Sequence, residues 1–108
     1  MPDPVILYIT VADHEEGLRI GRALIEEKLC ACANVSEGVT SIFNWEGEIS
    51  ETSEAVLIAK TQRHHIDAAT DIVKLEHSYD CPCVVAVPII GGNQEFINWI
   101  ESETETAV

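Results

Sequence analysis

The chain has 108 residues, with nineteen acidic against six basic side chains and a formal net charge of −13. One domain of this length buries about 65% of its unfolded surface, and a hydrophobic content of 46% is enough for a packed core. The charge excludes the basic footprint that a nucleic-acid ligand requires, and no apolar run approaches the ~20 residues of a membrane-spanning helix.

Val5 to Val11 is a near-continuous apolar run, which predicts a strand covered on both faces. Asp13-His14-Glu15-Glu16 has the pattern of a capping box, with Asp13 at the N-cap and Glu16 three places on. Leu18, Gly21, Leu24, Ile25 and Leu29 then recur at helical spacing and predict a helix of about four turns. Gly21 on that apolar stripe implies close approach to a sheet. A second strand is expected from Cys32 to Trp45, and Glu46-Gly47-Glu48 reads as a tight turn, because Gly47 tolerates positive φ. Polar Glu51–Glu54 leads into a third strand over Ala55–Thr61.

A second helix is predicted from about His64 to His77, with Ile66, Ala69, Ile72, Val73 and Glu76 on its inner side. A fourth strand follows over Cys83–Ile89, Gly91-Gly92-Asn93 breaks the chain, and Gln94 to Glu101 forms a short terminal helix. The tail from Ser102 is expected to fray. The order βαββαβ plus a final helix predicts an α+β, ferredoxin-like sandwich: one antiparallel sheet with helices on one face, in a single domain over residues 1–108.

Val39, Thr40, Ile42, Phe43 and Trp45 are β-branched or aromatic and suit a half-buried pleated surface. The long second and third strands carry their hairpin beyond any helix that could cover it. Trp45 near its tip would be left exposed in a monomer, and a long uncovered edge invites pairing with another copy.

The chain resembles the CutA family of divalent-cation tolerance proteins. The matching segments are Leu29-Cys30-Ala31-Cys32-Ala33-Asn34, Gly38-Val39-Thr40-Ser41-Ile42, Trp45-Glu46-Gly47-Glu48-Ile49, Leu57-Ile58-Ala59-Lys60-Thr61, His77-Ser78-Tyr79-Asp80-Cys81-Pro82 and Phe96-Ile97-Asn98-Trp99-Ile100. The resemblance implies a homotrimer held by strand pairing, a role in tolerance of copper and other divalent ions and, in the animal branch, an association with anchoring a cholinesterase. It also implies, for some bacterial members, a copper site built from a first-strand Cys and two adjacent His residues. Those positions are Ile9, Glu76 and His77 here, so only His77 carries over. His77-Ser78-Tyr79 stands where the family commonly has His-Pro-Tyr, and Cys83 where it has Glu.

The candidate metal ligands are His77, Glu76, Cys83 and Cys81, with copper as the expected ion. His77 near a helix end can instead complement the dipole or bond a last-turn carbonyl. Cys81 and Cys83, two apart on a strand, would face one side and could address a soft ion such as Cu(I), or Cys83 could simply open a buried strand. Cys30 and Cys32 read as packing residues, and His64-His65 as exposed polar positions. Trp45, Lys60, Tyr79 and Cys32 are expected at subunit clefts or interfaces, Lys60 holding an anion or pairing a carboxylate.

No nucleophile-base set, phosphate loop or metalloprotease helix is present, so no enzymatic activity is expected. The leading expectation is a soluble, cytoplasmic, trimeric protein of the divalent-metal response, without nucleic-acid or membrane partners. The alternatives are a trimeric signalling or scaffold module of PII-like architecture that binds a small molecule or protein, and a thiol redox or Cu(I) carrier using Cys81 and Cys83.

Overall fold

A computed structural model describes residues 3–105. The elements are β1 (Pro4–Val11), α1 (His14–Glu26), β2 (Cys32–Trp45), β3 (Glu48–Gln62), a 3-10 turn (Arg63–His65), α2 (Ile66–Glu76), β4 (Val84–Pro88) and α3 (Gln94–Glu103). The strands form one antiparallel sheet in the order β2-β3-β1-β4, so β1 lies between β3 and β4.

Alternation along β1 divides the sheet into two faces. Val5, Leu7, Ile9 and Val11 point to one side, opposite Thr61, Ala59, Leu57 and Ala55 of β3. There they meet Ile20 and Leu24 of α1 and Ala69 and Val73 of α2 in one closed core. A Cβ on Gly21 would sit 3.4 Å from both Ala33 Cβ and Leu57 Cδ1, the close approach its place on the apolar stripe implied. Gly17 is tighter still, with Val35 Cγ1 2.8 Å from the position of a Cβ. The Asp13 carboxylate accepts from the Glu16 N–H at 2.9 Å, as the capping pattern predicted. α1 ends on a left-handed residue, Lys28 with φ 58°. The Lys28 and Leu29 amides turn back to the Ile25 and Leu24 carbonyls, the Schellman arrangement.

Several boundaries differ from expectation. α2 opens with a 3-10 turn because neither Gln62 nor His65 supplies a side-chain cap. β4 begins at Val84, where pairing with Ile9 starts, and Cys81-Pro82-Cys83 lies in irregular backbone before it. α3 continues to Glu103, and Thr104 is buried beyond it, taking a hydrogen bond from Gln62 Nε2 at 3.0 Å. Gln62 continues the alternation of Ile58 and Lys60, so α3 packs at one end of the face opposite α1 and α2. Helices therefore lie on both faces.

The hairpin outruns the sheet. β1 pairs with β3 only over Ala55–Gln62, leaving residues 39–54 as a two-stranded arm. A bulge between Ser36 and Val39, with Gly38 at φ 82°, inserts one extra residue in β2. That insertion swaps parity: Asn34 and Ser36 face the open side before it, and Val39, Phe43 and Trp45 after it. The turn is the two residues Glu46 (φ 50°) and Gly47 (φ 83°), a type I′ geometry with both φ positive. Glutamate is a poor fit to that first position. Glu46→Asn is expected to stabilise the chain by about 0.5–1 kcal/mol, read as a higher urea midpoint at unchanged slope.

Candidate functional site

α1 and the segment after α2 meet at Glu16. Its buried carboxylate accepts from the Ala12 N–H at 2.9 Å and from the Ser78 N–H at 3.0 Å, tying the start of α1 to residues 62 places along. Arg19 clasps the same junction from outside, donating to the Glu76 carbonyl at 2.7 Å. Burial pulls the Glu16 carboxyl up. The hydrogen bonds from Ala12 and Ser78 outweigh it, and the net effect is a pKa below the usual 4.5.

His77 is the residue on which the metal expectation centred. Its side chain is wholly buried. Nε2 donates to the Thr10 carbonyl at 2.8 Å, and Nδ1 accepts from the Tyr79 N–H at 3.0 Å. This pairing puts the proton on Nε2, occupies Nδ1 with a donor, and leaves neither nitrogen a lone pair for an ion. Glu16 Oε1 stands 3.5 Å from Nδ1, but an N–H-accepting nitrogen makes no ion pair with it. The ring also stacks at 4.6 Å on Tyr79, whose hydroxyl donates to Glu54 Oε2 at 2.8 Å. Burial and the Glu54 carboxylate push that phenol up to about 12, so it stays a donor. His77 and Tyr79 thus fasten the segment after α2 to β1 and to the base of the arm.

Lys60 and Cys32 form a cross-strand pair on the open face. Lys60 Nζ donates to Asn34 Oδ1 at 2.6 Å and lies 3.9 Å from Cys32 Sγ. An amide, not a carboxylate, is therefore its partner. The same face carries Tyr8, Val85 and Val87, half exposed in apolar rows across β1 and β4. The arm adds Phe43, 41% exposed, and Trp45, 64% exposed. Cys30 is buried, and burial raises its thiol to about 12, which makes it an inert packing residue. Cys81 and Cys83 are free and exposed.

His77 and Glu76 are adjacent at the end of α2, but among the described residues no three His, Cys, Asp or Glu side chains are grouped to hold a metal ion. The donor set of one chain therefore does not fit a tetrahedral divalent centre. Sequence reasoning singled out His77, Tyr79 and Lys60 but missed their partners Thr10, Glu54 and Asn34, and missed Glu16. Glu16 carried a signal only for the helix cap, and the others become visible only once the fold is known. A shallow apolar groove of about 420 Å³ also runs along the outer edge of β2, between Leu18, Gly21 and Ile25 of α1 and Trp99 of α3.

A four-stranded antiparallel sheet, three helices and a projecting aromatic arm define a small α+β protein. The family model for the CutA1 divalent ion tolerance protein matches residues 5–103. The chloroplastic protein CutA 1 of Oryza sativa is 41% identical over 100 residues, covering 93% of this chain and 56% of that protein. The divalent-cation tolerance protein CutA of Thermus thermophilus is 40% identical over 99 residues, covering 92% and 96%. The crystal structure of CutA1 from Oryza sativa superposes with a TM-score of 0.94 at 39% identity, covering 98% and 97% of the two chains. The chain belongs to the CutA1 divalent ion tolerance family, and it spans little more than half the length of the plant relative. No helix among the described residues is long and apolar enough to cross a membrane.

Proposed function

We propose that this chain is a non-catalytic protein of the divalent-metal response. It works as a homotrimer of ferredoxin-like subunits in a reducing cytoplasm and holds copper or a similar ion in the clefts where subunits meet. The observation that carries this reading is the arm. Phe43 and Trp45 stand exposed on a chain whose core is otherwise closed, and they continue the apolar rows of the open sheet face. A protein rarely leaves such a surface uncovered, and β2 and β4 at the sheet margins add unpaired edges that a second copy can complete. Membership of a divalent-ion tolerance family supplies the metal response. With both His77 nitrogens committed and no group of three donors among the described residues, a divalent ion draws its ligands from more than one subunit. Four unpaired cysteines suit a reducing compartment.

Calorimetric titration of the reduced protein with Cu(II), Zn(II) and ATP tests this. Ion uptake is expected in the intact assembly, and it is expected to disappear in the Phe43→Ser/Trp45→Ser variant, whose subunits separate. Equal uptake by separated subunits would contradict the cleft site. Nucleotide binding without ion binding would favour a signalling module instead.

A further inference from the structure

Beside the divalent-ion site between subunits, and resting on the same metal-response reading, the segment between α2 and β4 carries a separate pair of donors within one chain. We infer that Cys81 and Cys83 form a two-thiolate site for a soft, monovalent d10 ion, Cu(I). Both thiols are free and exposed, and they stand in irregular backbone. That backbone is short and held at each end. Upstream, Ser78 and Tyr79 are tied to Glu16, His77 and Glu54. Downstream, Val84 pairs with Ile9 of β1.

The two cysteines are thus separated only by Pro82, within a tethered stretch. Proline fixes its own φ and holds Cys81 to extended backbone. Residues two apart span at most about 7 Å between Cα atoms, the outer limit for a disulfide. The same separation suits two sulfurs sharing one ion, which need to be only ~4.5 Å apart for metal–sulfur bonds of about 2.3 Å.

The ion class follows from the donor count. Zn(II) and Cu(II) want three or four ligands, and no such group exists among the described residues. Cu(I) accepts two soft thiolates alone. Binding releases one proton from each thiol, so the complex carries one negative charge per Cu(I), and affinity rises with pH. The net charge of −13 draws cations toward the surface.

The test is an anaerobic titration of the full, reduced chain with Cu(I) against the chromophoric chelator bicinchoninate, with Cu(II) and Zn(II) titrated in parallel. One Cu(I) per chain is expected, with a sulfur-only first shell in X-ray absorption. Cys81→Ser/Cys83→Ser is expected to weaken binding by more than about 100-fold, beyond what loss of a supporting residue costs, while His64→Ala, at an exposed position away from the segment, leaves it unchanged. Both cysteines are exposed, so the double variant keeps its fold, which circular dichroism verifies. A double variant that binds Cu(I) like the parent, or a nitrogen or oxygen first shell, overturns the thiol site. Divalent-ion uptake without Cu(I) uptake overturns the thiol site alone and leaves the broader metal reading standing. Absence of all uptake overturns both.

Discussion

Glu16→Ala is expected to lower stability by about 2–4 kcal/mol in urea denaturation at fixed protein concentration. The change removes the acceptor from two backbone donors, Ala12 N–H and Ser78 N–H, and each buried donor left unpaired costs about 1–3 kcal/mol. Against a total of about 5–15 kcal/mol for a domain, that is a large fraction. Glu16→Gln keeps one acceptor oxygen and should lose about half as much. The pH dependence separates charge from shape. Because the folded pKa of Glu16 lies below the usual 4.5, its carboxylate contributes fully above 4.5 and is lost as pH falls through the lower folded value. The stability gap between the parent and Glu16→Gln should therefore close on the acid side of 4.5. A gap that stays constant into acid would mean the carboxylate's charge contributes nothing there.

Phe43→Ser/Trp45→Ser is expected to convert an assembled protein into separate subunits without unfolding them. Trp45 is 64% exposed within one chain, so its loss removes little from the subunit core. Buried against a neighbour, an indole contributes about 2–3 kcal/mol, and Phe43 adds to it. The two together, repeated at every contact of a closed ring, should shift dissociation by orders of magnitude. Light scattering reads the mass and circular dichroism confirms the fold. A variant that stays assembled at the same concentration as the parent would show that the arm is not the contact.

The fold was legible where local pattern and burial agree. The apolar run of β1 and the Asp13-Glu16 cap that opens α1 are each placed within a residue, while the helical stripe, read to Leu29, ends as helix three residues earlier at Glu26. The reach of the hairpin was legible on its first strand, from β-branched and aromatic residues up to Trp45. The third strand was expected only from Ala55, whereas it pairs from Glu48 on, through polar Ser50–Glu54. The bulge at Gly38 was not, because one extra residue leaves composition untouched while reversing which side chains face outward. The fourth strand began one residue late because Pro82 and the register with β1, not apolarity, decide where pairing starts. At the candidate site, His77 could be found but not understood. Its two hydrogen bonds go to Thr10 and to its own neighbour Tyr79. The Thr10 partner, distant in sequence, is set by how α2 meets β1. Glu16 shows the same limit: a helix cap by spacing, it doubles as a tether between distant segments, and no periodicity encodes that.

Sedimentation velocity at nanomolar concentration, following the two tryptophans by fluorescence, tests the assembly reading most directly. The predicted result is a single species of three times the 11.9 kDa chain mass, with Trp45 emission shifted to the blue by burial. A folded 11.9 kDa species with a solvent-exposed arm indole would contradict it.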